Sequence, residues 1–400
     1  MENAEKKSHL GLLPRLIIAI VVGVIVGTLA QTFDAPLVIR LGATFNSIFG
    51  NFLGFSIPLI ILGFVVAGIA DLGEGAGKTL GLTVLIAYAS TLLVGTAAFL
   101  IDRAVFPTFL QVGSIVMEDA ANAEETMLGG LFTIEMPPVM GVMTALLLSF
   151  VLGLGIAVTR NRLLKDVAVG FQGIIERLVA AVLIPLLPLH VYGIFANMTY
   201  AGTVMEIMSV FIKVFAVIIL LHVAAIVCQF ALAGAFARKS PFRMIRNMLP
   251  AWLTAIGTQS SAATIPVTVV CTKSNGVSAK IADFVCPLCA TIHLSGSTIT
   301  LTSCAVAIMM LNGREVMAAQ MIPFVMMLGI TMVAAPGVPG GAVMAALGIL
   351  SSMLGFNDAM LNLMIALYIA QDSFGTACNV TGDGAIALLM DSLTARGQTV

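Results

Sequence analysis

Long apolar runs separated by short polar segments dominate the chain. A helix needs about 20 predominantly apolar residues to cross a bilayer, so each run predicts a helix that spans the membrane or is buried in it. Six runs of regular composition come first, and four less regular runs follow. The regular runs cover residues 11–33, 43–71, 79–107, 139–160, 167–197 and 203–237, and the later runs cover 247–270, 281–312, 319–355 and 358–391.

Two of the later runs are interrupted by residues that do not suit the interior of a membrane helix. Residues 259–266 read Gln-Ser-Ser-Ala-Ala-Thr-Ile-Pro, and residues 335–341 read Ala-Pro-Gly-Val-Pro-Gly-Gly. Such backbone is tolerated at membrane depth only where it is buried in protein or lines a cavity. We expect both runs to form re-entrant helical hairpins, which leaves about eight full crossings. The predicted fold is an all-α membrane protein with a solute site at the hairpin tips.

The composition supports a membrane protein and excludes several other classes. Hydrophobic residues make up 59% of the chain, charged residues 10%, and the mean hydropathy is +1.08, whereas soluble domains carry about 25% charged residues. The net charge is −1 and there is no basic tract, so we do not expect the protein to bind nucleic acid. The six cysteines all lie in or beside apolar runs, which makes a disulfide framework improbable. The first apolar run is too long for a signal-peptide core, and we expect it to be retained.

Charges between the runs predict the topology, because short cytoplasmic loops collect lysine and arginine. Basic residues cluster before the first run, after the fourth and after the sixth, and acidic residues dominate the loop after the third. We therefore expect both termini in the cytoplasm, the first hairpin to enter from the cytoplasm, and the second to enter from outside. Two tips that meet from opposite faces are typical of alternating-access carriers. The basic residues are Lys6, Lys7, Arg15, Arg160, Arg162, Lys165, Arg238, Lys239, Arg243 and Arg246, and the acidic ones are Glu118, Asp119, Glu124, Glu125 and Glu135.

The last apolar run contains a stripe of polar side chains. Asp372, Thr376, Asn379 and Asp383 follow one another at offsets of 4, 3 and 4, which aligns them on one helical face. One interpretation is that they only hold helices together through interhelical hydrogen bonds. The alternative, which we favour, is that the two carboxylates supply oxygen ligands for a small cation and a counter-charge for an ammonium group.

Four motifs, taken in their order along the chain, indicate a family resemblance. The chain resembles the dicarboxylate/amino acid:cation symporter family, and is most similar to its bacterial sodium/serine-threonine branch. The resemblance implies a homotrimer in the bacterial inner membrane, with an elevator mechanism in which 72–107 and 203–393 move against a scaffold of 1–71 and 139–197. The motifs are Ser-Ser-Ala-Ala-Thr-Ile-Pro at 260–266, Pro-Leu-Cys-Ala-Thr-Ile-His at 287–293, Gly-Val-Pro-Gly-Gly at 337–341 and Asn-Val-Thr-Gly-Asp at 379–383.

The resemblance also implies a set of substrate contacts. The backbone at Ser260 and Ser261 would receive the substrate α-carboxylate, since free N–H groups at a broken helix bind anions. Asp372 would hold the substrate ammonium, and Val338 would lie at the tip of the outer gate. Further substrate contacts are implied for Ser297, Gly375, Thr376 and Asn379.

Gly375 is the informative departure from the family pattern. Members that carry acidic substrates place an arginine at this position, where it clamps the second carboxylate of the substrate. Without that arginine an acidic substrate would bring an unpaired charge into a desolvated pocket, so a neutral side chain is predicted. The absent side chain also frees volume, so a neutral amino acid bulkier than serine is an alternative.

Sodium is the coupling ion that the resemblance implies, at one or two sites. A third site that some members have would lack its acidic ligand here, because Ser295 replaces it. His293 is either a proton-coupling group or a neutral packing residue, and we favour the second interpretation. The ligands implied for the first site are Cys289, His293, Asn379 and Asp383, and those for the second are Thr291, Met332, Val333 and Ala335.

The sequence therefore predicts a sodium-coupled symporter that imports a small neutral amino acid, with serine or threonine as the favoured substrate. One alternative is a cation-coupled carrier of another small carboxylate. A second alternative is a channel or solute-sensing membrane protein with the same pocket. No hydrolytic or nucleotide-binding motif indicates an enzyme.

Overall fold

A computed structural model describes residues 12–72, 78–110, 112–113, 128–202, 204–333, 335 and 339–397. Within these ranges the chain forms fourteen α-helices. Val338 and the acidic residues from Glu118 to Glu125 lie outside the described residues. The helices are α1 Leu12–Thr32, α2 Pro36–Leu72, α3 Lys78–Val105, α4 Val142–Thr159, α5 Arg162–Leu178, α6 Ile184–Tyr200, α7 Val204–Ala237, α8 Pro241–Thr258, α9 Ser261–Ser274, α10 Ala279–Ile292, α11 Ser295–Leu311, α12 Ala318–Val333, α13 Gly341–Leu354 and α14 Asp358–Gly397.

One group of helices is built on α2 and α6. α1 packs along α6, and α2 packs against α4, α5 and α6. Gly23 and Gly27 of α1 allow the close approach to α6, because a Cβ on Gly23 would lie 2.8 Å from the carbonyl oxygen of Tyr192. A π-helical turn, Val179–Leu183, joins α5 to α6.

A second group of helices surrounds α14. This helix packs against α7, α8, α9, α10 and α11, and α3 packs along α11 and α12. Every residue of α11 is buried, as expected of a helix enclosed on all sides. The polar stripe that the sequence predicts on α14 therefore points into protein, with Asp372, Asn379 and Asp383 all buried.

The two interrupted runs form pairs of packed helices, α8 with α9 and α12 with α13. In the first pair Gln259 ends α8 in a left-handed conformation (φ 52°), and Ser260 begins α9 as its N-cap. In the second pair Gly340 precedes α13 with φ 72°, a conformation that favours glycine. The positions of both interruptions thus agree with the prediction.

The apolar run at 281–312 is not the continuous helix that its composition predicts. α10 ends at Ile292, and α11 begins at Ser295. His293 and Leu294 between them have non-helical backbone angles (φ −119°, ψ 85° and φ −107°, ψ 54°). Hydropathy could not reveal this break, because a buried broken helix is as apolar as an intact one.

Five segments of the described chain are long and apolar enough to cross a membrane. α4, α12, α13 and part of α1 are shorter apolar helices. The chain is therefore a multi-pass membrane protein, and the count of about eight crossings stays a prediction. The five segments are Pro36–Ala67, Thr79–Thr108, Ala181–Tyr200, Phe211–Ala237 and Ala279–Leu311.

Candidate functional site

The tip of the first helix pair contacts α14 beside Asp372. The Gln259 amide donates a hydrogen bond to the Ser373 hydroxyl at 2.8 Å, and both residues are buried. Ser260 caps α9, since its hydroxyl accepts a hydrogen bond from the N–H of Ala263 at 3.2 Å. Ser261, the first residue of α9, is buried at the same end. The residues predicted to receive a carboxylate therefore lie at a helix N-terminus, where backbone N–H groups and the helix dipole favour an anion.

The tip of the second helix pair is attached to Asp372 itself. One carboxylate oxygen of Asp372 accepts a hydrogen bond from the N–H of Gly340 at 2.7 Å. Its other oxygen accepts one from the Thr376 hydroxyl at 3.4 Å. Gly340 is the N-cap of α13, so the carboxylate sits where a negative charge stabilises a helix. The carboxylate predicted to bind the substrate ammonium thus also holds the end of the second pair.

Asn379 supplies the cap that α11 cannot provide for itself. Leu294, at the N-cap position, has no capping side chain. The Asn379 side-chain oxygen accepts hydrogen bonds from the N–H groups of Gly296 at 2.8 Å and Ser297 at 3.3 Å, and its amide donates to the Ser297 hydroxyl at 3.0 Å. The Tyr368 hydroxyl donates to the same Ser297 oxygen at 2.9 Å. Ser297 and Asn379, both predicted substrate contacts, are therefore in direct contact.

Gly375 lies where α14 crosses α11. A Cβ added to Gly375 would lie 3.5 Å from the Thr300 hydroxyl and 3.6 Å from the Ser297 nitrogen, which are ordinary contacts. A Cβ added to Gly296, on the opposite helix, would overlap the carbonyl oxygen of Gly375. The volume that the glycine frees is therefore next to Ser297 and Thr300, and Gly375 itself presents no positive charge.

Asp383 forms a buried pair with His293. Nδ1 of His293 lies 2.9 Å from one carboxylate oxygen of Asp383, and both side chains are fully buried. Nε2 of His293 lies 3.1 Å from the Ser90 hydroxyl, which also accepts a hydrogen bond from the Gln229 amide at 3.1 Å. His293 therefore has a partner on each ring nitrogen, and one of these partners is a predicted sodium ligand. The choice between a neutral packing residue and a proton-coupling group stays a prediction.

The residues predicted for the first sodium site are brought together around this pair. His293, Asn379 and Asp383 all lie where α14 meets the break between α10 and α11. The carbonyl oxygen of Cys289 accepts a hydrogen bond from the N–H of His293 at 2.8 Å. The second carboxylate oxygen of Asp383 is buried with no hydrogen-bond partner. A buried anionic oxygen of this kind fits a hard monovalent cation.

The residues predicted for the second sodium site make fewer contacts with one another than those predicted for the first. Met332 and Ala335 are buried at the C-terminal end of α12, where helix carbonyls carry partial negative charge, and Val333 is half-buried between them. The N–H of Ala335 donates to the carbonyl of Met332 at 3.2 Å. Thr291 is exposed near the end of α10, and its hydroxyl donates to the carbonyl of Leu288.

Several contributors to the site escape sequence reasoning. Ser90 and Gln229 lie on α3 and α7, more than 60 positions from the residues they contact, and nothing in their local sequence marks them. Gln259 lies within a motif, but its partner Ser373 could not be read from the chain. Tyr368 could have been found, because it precedes Asp372 by one helical turn and extends the polar face of α14.

Comparison with known proteins agrees with this arrangement. The sequence matches the Sodium:dicarboxylate symporter family over residues 12–393. The Serine/threonine transporter SstT of Acinetobacter baumannii is 25% identical over 402 residues, which cover 96% of this chain and 97% of that protein. The human Neutral amino acid transporter A is 34% identical over 159 residues, covering 40% of this chain and 30% of that protein. The human Excitatory amino acid transporter 2 is 32% identical over 147 residues, covering 36% of this chain and 25% of that protein.

The family match includes all the helices that build the site, from α1 to most of α14. The chain thus belongs to the sodium:dicarboxylate symporter family and is a sodium-coupled membrane transporter of all-α fold, not an enzyme.

Proposed function

We propose that the protein is a sodium-coupled symporter that imports a small neutral amino acid, with serine and threonine as the leading substrates. The relative that matches along nearly its whole length is named a serine/threonine transporter. A relative of higher identity over a shorter stretch is named a neutral amino acid transporter. Both names support an amino acid as the substrate of this chain.

The observation that carries the proposal is the charge of the site. Asp372 is a buried carboxylate whose hydrogen-bond donors are neutral, the N–H of Gly340 and the hydroxyl of Thr376. A substrate ammonium beside it would form a charge-assisted pair worth about 1.5–3 kcal/mol. Gly375 offers no charge to a second carboxylate, and leaving that charge unpaired in a desolvated pocket would cost several kcal/mol. A neutral side chain is thus favoured.

Coupling would operate through the second helix pair. Asp372 joins the tip of this pair to α14, and Asp383 has a free oxygen for sodium about three turns further along the same helix. Sodium at Asp383 would order the region of Asn379, which holds the break between α10 and α11. Only the loaded or the empty carrier would then close and move, which is the thermodynamic requirement for coupling.

The elevator arrangement belongs to the same proposal. The helices around α14, together with α3, would be the moving unit, and α1, α2, α4, α5 and α6 would be the scaffold. The way the helices pack into these two groups supports the division. We further propose a homotrimer in a bacterial inner membrane, with both termini in the cytoplasm.

A dicarboxylate is the second candidate substrate, since the family is described by that class. The experiment is uptake by the purified protein in proteoliposomes, with radiolabelled serine, threonine, alanine, aspartate and succinate. Each solute is tested with an inward gradient of sodium, of lithium or of protons alone. We expect sodium-driven accumulation of serine or threonine above the equilibrium level. Equal accumulation of aspartate would contradict the neutral-substrate proposal, and equilibration without accumulation would indicate a channel.

A further inference from the structure

Asp102 is a buried carboxylate that the proposed transport site does not use. It lies on α3, one helical turn before the helix ends, and its side chain is fully buried. Neither of its carboxylate oxygens has a hydrogen-bond partner among the described residues. An intramembrane acidic residue is costly and marks a functional site by default. Asp102 is therefore a candidate functional residue outside the hydrogen-bonded pair of Asp383 and His293.

The surface that faces Asp102 is a strip of hydroxyl groups on α11. Ser303 is the side chain beside the carboxylate, although the two groups do not reach hydrogen-bond geometry. The hydroxyls of Thr298 and Thr302 are also buried without partners. Gly95 lets these side chains approach α3, since a Cβ there would lie 2.8 Å from a Thr298 methyl group. The interface between α3 and α11 is thus polar, and several of its described hydroxyl groups lack a hydrogen-bond partner.

Among the residues that the structure describes, no basic side chain pairs with Asp102. α11 and α12, which pack along α3, contain no charged residue, and Cys304 of α11 is the titratable group that interacts with the carboxylate. Arg103 follows on the helix, but neighbouring residues point in different directions and its side chain is exposed. Lys213 of α7 is exposed too and lies over the ring of Phe109, 6.0 Å from its centre.

The sequence limits the cations that the segments outside the described residues could offer to Asp102. The stretch 114–127, which follows α3, contains no lysine, arginine or histidine. Residues 1–11 contain Lys6, Lys7 and His9, and the topology predicts them on the cytoplasmic side, at the opposite end of α3. A bare ionised carboxylate in this environment would cost far more than a hydrogen bond can return. A mobile positive charge must therefore neutralise it.

The geometry favours a proton over a metal ion. Hard cations are held by about six oxygen ligands, and the polar partners that face Asp102 amount to the Ser303 hydroxyl and the Cys304 thiol. A protonated carboxyl needs a single acceptor, and a small rotation of the Ser303 hydroxyl oxygen toward it provides one. Asp383 differs from Asp102 in that one of its carboxylate oxygens has a close side-chain partner, Nδ1 of His293 at 2.9 Å.

A cavity near the end of α3 offers the proton a route, and Asp102 lies behind its lining. The cavity has a volume of about 350 Å³ and is lined by Arg103, Pro107, Met310 and Gly313, together with the charged residues Arg314 and Glu315. Gly113 is hydrogen-bonded to the end of α11 beside this cavity, since its N–H donates to the carbonyl of Met310 at 3.0 Å. Separation of the ends of α3 and α11 at this contact would open Asp102 to the water of the cavity.

We propose that Asp102 is a proton-binding carboxyl, neutral in the state described, which exchanges its proton through the outer cavity and carries it with the substrate. The step is a simple transfer. A hydronium ion in the cavity gives a proton to the carboxylate of Asp102, and a water molecule on the other side of the membrane later accepts that proton. The cotransport of this proton rests on the proposed transport function, whereas the protonation of Asp102 does not.

The protonation is tested by infrared spectroscopy of the purified protein in lipid. A buried protonated carboxyl absorbs at a carbonyl frequency distinct from that of a carboxylate. Asp372 and Asp383 are buried as well, so the measurement is the difference between the spectra of the variants and of the unmodified protein. At neutral pH we expect Asp102→Asn to lose one component of this band, and Ser303→Ala, which removes the acceptor without changing the charge, to shift that component. Asp283→Asn is the matched control, because Asp283 is an exposed partner of Lys273, and it should keep the band. A band that is unchanged in Asp102→Asn would overturn the proposal, as would the absence of the band from the unmodified protein.

The movement of the proton is tested with liposomes that contain a pH-sensitive dye. Under a sodium gradient, addition of serine should acidify the interior, and Asp102→Asn should lose the acidification while retaining labelled serine uptake. Asp283→Asn should retain both. Acidification that survives in Asp102→Asn assigns the proton to another group and contradicts the proposal. Absence of serine uptake by the unmodified protein would instead contradict the proposed function, and the infrared result would be unaffected.

Discussion

At the scale of single residues, the site depends on two carboxylates of one helix with different partners. Asp372 accepts hydrogen bonds from neutral donors at the end of the second helix pair, whereas Asp383 is paired with His293 and keeps one oxygen free. Their spacing on α14 could be read from the sequence, and it correctly indicated that both point the same way. The sequence could not show that the two carboxylates have different partners. These partners, Gly340 and His293, lie at the ends of other helices.

Asp372→Asn should weaken substrate binding by about 10- to 100-fold. The asparagine oxygen can still accept the N–H of Gly340, so the helix pair keeps its contact, but the charge-assisted pair with an ammonium, worth about 1.5–3 kcal/mol, is lost. The measurement is the serine concentration that gives half-maximal sodium-driven uptake. Asp391→Asn is a suitable control, since Asp391 accepts its hydrogen bond from Ser278 near the far end of α14. Unchanged uptake in Asp372→Asn would favour a substrate that has no ammonium group.

Asp383→Asn should raise the sodium concentration required for uptake by about tenfold or more, because the neutral amide removes the anionic oxygen offered to the ion. The His293 contact can persist, since an amide oxygen also accepts from Nδ1. Uptake at fixed serine and varied sodium measures the effect. The variant should approach the unmodified rate when sodium is saturating. An unaltered sodium requirement would remove Asp383 from the sodium site.

At the scale of elements, the break between α10 and α11 is the feature that organises the site. Asn379 caps α11 from another helix, and Gly296 allows α11 to touch α14 directly. The interruptions at 259–260 and near Gly340 could be predicted, because serine, glycine and proline mark them locally. The break at His293 and Leu294 could not, because a cap supplied from a distant helix leaves no local signal.

Gly296→Ala should destabilise the protein by about 1–3 kcal/mol, whereas Gly375→Ala should change its stability little. The two glycines face each other across the same contact, but a Cβ on Gly296 would overlap the carbonyl of Gly375, and one on Gly375 would meet ordinary distances of 3.5–3.6 Å. Thermal unfolding in detergent measures the difference, with the second variant as the control for the first. Equal melting temperatures for the two variants would contradict this packing.

At the scale of the whole molecule, the two helix groups meet at several contacts, one of which is made by a buried histidine. His190 on α6 is fully buried, and its Nε2 lies 3.2 Å from the Asn362 side-chain oxygen on α14. Its Nδ1 lies 3.1 Å from the Asn46 amide on α2, within the same group as α6. One residue therefore contacts both a helix proposed to move and a helix proposed to stay still.

A cross-link between the groups should stop transport, and one within a group should not. We expect mercury to link His190→Cys with Asn362→Cys and to abolish uptake while serine binding remains. His190→Cys with Asn46→Cys provides the matched pair and should keep its uptake. Both pairs require Cys228→Ser, because Cys228 is the exposed native thiol among the described cysteines. Full uptake by the cross-linked His190/Asn362 pair would contradict the sliding of α14 past α6.

By itself, the sequence determined the membrane class of the protein, the places where two helices are interrupted, and the polar face of α14. These properties depend on composition and on periodicity within about 10 to 20 neighbouring residues. Only the tertiary structure decided which residues complete the site and which carboxylate stays unpaired. The contacts of Asp372 with Gly340, of Asp383 with His293 and of His293 with Ser90 join positions 32, 90 and 203 residues apart. Such pairs arise from helix packing. For the same reason, only the tertiary structure shows that Asp102 has no hydrogen-bond partner among the described residues.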